Sequence, residues 1–189
     1  MNLNNVAVKF ATTTIDVWRN GRWEKSAVIG SLKVSNRFLT DMDTGMSRRL
    51  FISPGKIPAD CTMARFHNGS VYLIEHFDSD IDIGEHSFRT TLLRADNLVE
   101  IGSVTTTTSA SGMKRSQGEE FSDPIPCLLY RSGSRESSVS SNIHMSRKIL
   151  FMPNHLTLKD SNSARVDGKV YKVAEVYKSL NLLVASLTD

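Results

Sequence analysis

Met46-Ser-Arg-Arg-Leu-Phe-Ile-Ser-Pro54 and Met145-Ser-Arg-Lys-Ile-Leu-Phe-Met-Pro153 are two versions of one phrase, set 99 residues apart. The same shift, without a gap, lays Phe66-His-Asn-Gly-Ser-Val-Tyr-Leu-Ile74 on Arg165-Val-Asp-Gly-Lys-Val-Tyr-Lys-Val173. Met46–Ile74 then matches its counterpart at seven of 29 positions. Many of the remaining pairs are conservative, among them Arg49/Lys148, Ile57/Leu156, Asn68/Asp167 and Ile74/Val173. A period this long is the size of a domain, well above the ~20–50 residues of a solenoid repeat, so it reads as duplication of a whole unit. Upstream, Val17-Trp-Arg-Asn-Gly-Arg-Trp-Glu24 is matched with Leu129-Tyr-Arg-Ser-Gly-Ser-Arg-Glu136 at a changed offset. The copies are thereby expected at about 6–97 and about 124–189.

Within each copy the local signals are those of strands and tight turns. Asn20-Gly21 between two Trp-bearing arms suits a two-residue hairpin turn, because both residues tolerate positive φ. Asn68-Gly69 and Asp167-Gly168 repeat the device, each leading into an alternating Val-Tyr run. Ser87–Leu93 and Leu180–Leu187 read as closing strands. Pro54 and Pro153 mark strand ends, since Pro lacks the N–H that a central strand needs. Helical periodicity is weak, and short helices are expected only around Pro58–Phe66 and Arg94–Val99. Residues 104–123 are rich in Thr, Ser and Gly with few apolar side chains, and read as a linker or long mobile loop. The expected fold is therefore mainly β. Two tandem small antiparallel β-barrel or β-sandwich units occupy 1–103 and 124–189, joined by a flexible Thr/Ser-rich linker at 104–123.

Composition narrows the class. Hydrophobic residues make up 40% and charged residues 23%, enough apolar material for a buried core. No apolar run approaches the ~18 residues of a membrane span, and the N-terminus shows no secretory pattern. Cys61 and Cys127 stand far apart with no Cys-x-x-Cys, which fits ordinary reduced thiols better than a disulfide scaffold or zinc ribbon. The net charge of +3 does not by itself identify a nucleic-acid binder. Its distribution is uneven: residues 1–50 hold eight Lys/Arg and four Asp/Glu, and residues 51–100 hold four and eight. A basic and an acidic stretch suit contacts between neighbours in an assembly as well as solvated faces.

Catalytic and metal patterns are missing. Asp78-Ser-Asp80-Ile-Asp82-Ile-Gly84-Glu85 has the start of an EF-hand loop, but Ile83 takes the place of the turn Gly and Arg89 that of the bidentate Glu. The cluster of Asp78, Asp80, Asp82 and Glu85 is better read as an acidic loop facing solvent or a basic neighbouring subunit. The five histidines form no His-x-x-x-His, and no nucleophile elbow or phosphate loop is present. The expectation is a non-enzyme without cofactor or metal. Lys114 and Arg115 in the polar stretch, with Arg131 and Arg135 beside the second copy's first turn, are the groups suited to loose phosphate contact.

The order of features in the first copy, Trp18-Arg-Asn-Gly-Arg-Trp23, then Met46-Ser-Arg-Arg-Leu-Phe-Ile, then Asn68-Gly-Ser-Val-Tyr-Leu-Ile74 and a closing strand, resembles the small head–tail joining, or head-completion, proteins of tailed bacteriophages. Those carry an early Gly-x-Trp-like hairpin, then a Gly-x-x-Tyr-x-Ile-like turn and strand. Members of that family usually have one such unit where this chain has two, and Arg135 stands where the second copy would place Trp23. The resemblance implies a β-barrel-like connector in the neck of a virion, assembled in the bacterial host's cytoplasm. It would form a homo-oligomeric ring under the portal protein, touch tail or other neck proteins, and surround the genomic DNA, with no membrane involved. Closed rings need head-to-tail contacts. The ring would hold six or twelve chains: six duplicated chains would present twelve units to a twelve-fold portal, and a ring of twelve chains would contradict that match. Two other readings stay open: another β-rich phage structural protein of the tail or capsid decoration, and a β-barrel nucleic-acid-binding module.

Overall fold

The structure is a computed structural model that describes residues 13–34, 48–78, 88–108, 114–131, 148–159 and 162–189. Every regular element among them is a strand. The first six are β1 (Thr13–Arg19), β2 (Arg22–Val34), β3 (Arg48–Ser53), β4 (Met63–Phe66), β5 (Val71–Asp78) and β6 (Phe88–Arg94). They pair antiparallel in the order β1-β2-β3-β6-β5-β4, and β4 returns to β1 to close a barrel. Asn20 and Gly21, at φ 50° and 76°, make the two-residue turn of the β1–β2 hairpin, with Trp18 opposite Trp23 as expected.

The second sheet comprises β7 (Asn97–Thr108), β8 (Lys114–Phe121), β9 (Ile125–Arg131), β10 (Lys148–Pro153), β11 (Ser163–Val166), β12 (Lys169–Ser179) and β13 (Leu182–Thr188). Its order is β11-β12-β13-β10-β9-β7-β8, and β11 also pairs with β7. Six of these strands therefore close in the same cyclic order as the first barrel: β7, β9, β10, β13, β12 and β11 stand for β1, β2, β3, β6, β5 and β4. Register confirms the correspondence. Ala64 lies between Val17 and Tyr72, and Ala164 lies between Ile101 and Tyr171. β5 bulges between Ile74 and His76, and β12 bulges between Val173 and Glu175, which is the 99-residue shift again. The one-residue drift between β4 and β11 is absorbed in the hairpin turns. His67-Asn68-Gly69 is a three-residue loop with Gly69 at φ 81°, whereas Asp167-Gly168 is a two-residue turn at φ 48° and 85°.

Each barrel has its own core. Ile15, Phe51, Tyr72, Ile74 and Leu92 fill the first, and Val99, Leu150, Tyr171, Val173 and Leu187 the second. Gly30 passes beneath the Phe51 ring so closely that a Cβ would lie 2.5 Å from the ring and from the Ile52 carbonyl oxygen. At the matching position the second barrel has Cys127, and a smaller Leu150 replaces Phe51. A third apolar cluster joins the barrels: Met63, Leu73 and Leu93 from the first meet Leu182 and Val184 from the second, with Trp18, Trp23, Leu128, Ile149 and Phe151 around them. The contact is head-to-tail. It uses the outer face of β4-β5-β6 in one barrel and that of β9-β10-β13 in the other.

Four expectations change. The first barrel ends at Arg94 and the second begins at Asn97, so the boundary lies there and not at residue 103. Val104–Thr108 and Lys114–Phe121 are paired strands, not a flexible linker, because the β-branched Thr run supplies good ladder residues once a partner is fixed in register. The counterpart of the Trp18–Trp23 hairpin is therefore Gly102/Phe121, and Leu129-Tyr-Arg131 belongs to β9, the counterpart of β2. No helix forms at Pro58–Phe66 or Arg94–Val99: Met63–Phe66 is β4, held between β1 and β5, and Asn97 opens β7.

Gly30→Ala is expected to lower the unfolding free energy by about 1–3 kcal/mol, the cost of overpacking a filled core. Adding Phe51→Leu, which recreates the Cys127/Leu150 arrangement, should return more than half of that loss in a urea titration. A double variant no more stable than Gly30→Ala alone would contradict the packing described.

Candidate functional site

Among the described residues the two barrels differ most at the hairpin that begins each of them. In the first, β1 and β2 are joined by Asn20-Gly21. In the second, the matching hairpin continues: β7 pairs with β9 as far as Val99 and with β11 as far as Gly102, and from Ser103 to Thr108 it pairs with β8 alone. The result is a two-stranded arm extending about 20 Å beyond the barrel, at ~3.3 Å per residue. The outer edge of β8 has no strand partner among the described residues. Gly118, at φ 76°, sits in a bulge opposite Val104–Thr106. Such bulges twist an edge and restrict what can pair with it.

The root of the arm is built from a set of three side chains that both barrels share. In the first, Arg65 donates to Asp16 at 2.8 Å and lies 4.5 Å above the Trp23 ring. In the second, Arg165 pairs with Glu100 and lies 4.0 Å above Phe121. A guanidinium held between a carboxylate and an aromatic face ties three strands together across the closing seam. The Ser26 amide, turned to φ 49° by a bulge in β2, also donates to Asp16 at 2.9 Å, and with Arg65 it holds that carboxyl below the ordinary range. Gly102 carries the arm past this point, since a Cβ there would collide with Glu119 and Phe121.

At the opposite end of β7 lies a cleft of about 520 Å³, bordered by Asn97, Tyr130, Arg131, Asp167, Lys169 and Tyr171. Lys148, nine-tenths buried, and Lys169 lie 4.9 and 5.2 Å from the Tyr171 ring and share the Asp189 carboxylate. The two ammonium groups hold that carboxyl at about 2. Arg131 faces Lys148 across the β9–β10 ladder.

The junction of the barrels carries its own polar contacts. His155 stacks on Trp18 with centroids 6.5 Å apart, and its Nδ1 is 3.0 Å from Thr62 Oγ1. Asn181 donates through its side chain to the Cys61 carbonyl at 3.1 Å and through its amide to the Glu75 carbonyl at 3.2 Å. Cys61 and Cys127 are buried thiols, pushed up by desolvation, Cys61 to about 11.

The sequence-derived candidates do not form one group. Lys114 and Arg115 open β8 at the outer end of the arm, opposite Thr108 and Thr107. Arg131 is at the far end of the second barrel, roughly 36 Å away along β7 at ~3.3 Å per residue. Asp78 ends β5, while Asp80, Asp82, Glu85 and Arg135 lie outside the described residues. Lys148, Lys169, Tyr171 and Asp189 were not singled out by sequence as site residues; Lys148, Lys169 and Tyr171 entered only as positions of the 99-residue repeat, and Asp189 did not enter at all. Among the described residues no three His, Cys, Asp or Glu side chains are grouped closely enough to hold a metal ion. Searches against protein-family models, curated proteins and solved structures gave no match.

His155 makes the junction sensitive to acid. Desolvation lowers its pKa from the ordinary value, so the unfolded chain binds a proton that the folded chain resists. Stability tied to this group is present above about pH 6.5 and is lost as pH falls through the lower folded value. His155→Gln is expected to flatten the decline in Tm between about pH 7 and pH 5, measured by thermal unfolding at fixed ionic strength; an unchanged slope would contradict it.

Proposed function

We propose that this chain is a structural component of a tailed-bacteriophage particle, acting in the neck as a connector between portal and tail. The reading rests on the resemblance of its hairpin and Tyr-strand motifs to head–tail joining proteins. The observation that carries it furthest is the paired barrel with one hairpin extended into an arm. Assembly proteins that act without chemistry need a rigid body and a projecting element with open backbone groups, and strand edges are suited to docking on neighbouring chains. The head-to-tail barrel contact inside the chain is also of the kind that builds rings. A ring of such chains would nevertheless use a different contact between chains. The second barrel's counterparts of Met63, Leu73 and Leu93 are Ser163, Lys172 and Thr188, a polar surface that cannot repeat the internal junction. The arm is then the element that reaches the neighbour or the portal, and Lys114 and Arg115, at its outer end, are the residues proposed to meet DNA phosphates.

The test is an arm exchange. Residues 103–120 are replaced by Arg-Asn-Gly-Arg, which copies the turn joining Trp18 to Trp23. The exchanged protein is expected to fold with a Tm within a few degrees of the parent, because it reproduces a hairpin the fold already tolerates. The parent should form a discrete oligomer, or co-migrate with the portal from its own genome, in light scattering after gel filtration. The exchanged protein should do neither. Equal association by both proteins would remove the arm from the assembly, and a parent that remains a monomer and ignores the portal would count against the connector reading as a whole.

A further inference from the structure

The cleft at the Asn97 end of the second barrel concentrates positive charge in a way the fold does not require. Lys148 and Lys169 share one phenol ring, and Arg131 stands directly opposite Lys148 on the neighbouring strand. Like charges paired across a ladder are destabilising unless something negative lies between them. The matching positions of the first barrel, whose strands follow the same path, are Arg49, Ser70 and Val34, and the matching Tyr72 packs edge-on against Phe66 at 5.1 Å. The cluster therefore belongs to the second barrel alone and serves no common structural need.

Among the described residues two carboxylates lie near it. Asp167 is engaged by the Asn97 side chain at 2.6 Å and the Leu98 amide at 3.2 Å, so it is committed to its turn. Asp189 bridges Lys148 and Lys169, yet its own side chain is 63% exposed. Its place is thus a carboxylate seat: two ammonium donors, one nine-tenths buried, over an aromatic floor, with a third cation at the rim. The Lys169–Asp189 half of the bridge is exposed on both sides, and such a pair contributes little stability and exchanges readily with a competing anion.

We propose that this cleft is a docking site for an acidic segment of a partner protein, and that Asp189 occupies its carboxylate seat in the free chain. The seat already holds a carboxylate in hydrogen-bonding geometry, which favours a glutamate- or aspartate-bearing peptide over a nucleic acid. Lysines act here as point charges that reach a single carboxylate, with Arg131 placed to take a second. This inference does not depend on the connector reading and would hold in any assembly.

The experiment measures fluorescence anisotropy of a labelled hexaglutamate peptide, and separately of a labelled 12-base-pair DNA duplex, at two salt concentrations. Asp189→Asn removes the competing carboxylate, leaves Arg131, Lys148 and Lys169 in place, and is expected to bind the peptide about fivefold tighter than the parent, the scale of one exposed ion pair. Combining it with Lys169→Gln and Arg131→Gln should abolish the gain. If Asp189→Asn unfolds because Lys148 loses its counter-charge, the exposed pair Lys169→Gln and Arg131→Gln in the parent background gives the same reading, with peptide affinity falling at least fivefold. Equal peptide affinity in all the folded proteins would overturn the proposal. Duplex binding that is tighter than peptide binding, falls steeply with salt and is lost in the same variants would overturn it in favour of a phosphate site.

Discussion

Everything in this molecule depends on the seam where the last short strand of each unit returns to the first. β4 and β11 are four residues long, and each is held on both sides, β4 by β1 and β5, β11 by β7 and β12. Without that closure each unit would be an open sheet with two free edges, and its apolar interior would be exposed along one side. The seam is reinforced on the outer face, where an arginine is pinned between a carboxylate and a ring in both barrels. It is reinforced within by Ala64 and Ala164, whose small side chains leave room for Tyr72 and Tyr171 to reach the core. The bulges in β5 and β12 supply the extra bend that lets six strands close. That the bulges fall 99 residues apart ties the sequence repeat to a mechanical need of the barrel.

The two barrels differ where closure does not constrain them. In the first, the bulged residue of β5 is Glu75, which takes Arg48 in a bidentate pair at 2.8 and 2.9 Å; in the second its counterpart is Ala174. The β1–β2 turn has two residues in one barrel, and its counterpart is an arm in the other. Core volume was redistributed between Gly30 with Phe51 on one side and Cys127 with Leu150 on the other. These are exchanges of the kind a packed interior tolerates when total volume is kept.

The sequence made the mainly-β character and the second half of each repeat readable, because Asn-Gly and Asp-Gly turns and alternating runs are local. Pro54 and Pro153 marked strand ends correctly, as β3 stops at Ser53 and β10 at Pro153. The first half was misread for a physical reason. Its offset is 84 between β1 and β7 but 97 between β2 and β9, and the arm accounts for the difference by separating strands that are adjacent in the first barrel. A polar Thr-Thr-Thr-Thr stretch signals a linker by composition, yet it forms a ladder as soon as a partner strand holds it in register. The cationic cleft was invisible because Arg131, Lys148, Lys169 and Asp189 are brought together only by the order of β9, β10, β12 and β13. The acidic candidates from Asp80 to Glu85, and Arg135, lie outside the described residues.

Only Ala95 and Asp96 separate β6 from β7, so the chain passes from one barrel to the other with almost no slack. A tether that short raises the local concentration of one docking face around the other to a level no mixture of separate barrels attains in solution. The junction can therefore be small and partly polar, and still remain shut. It also means that a pull on either barrel is passed to the other through a nearly taut backbone. The pair should respond to load as a single stiff body, without the hinge that a longer connection would have allowed.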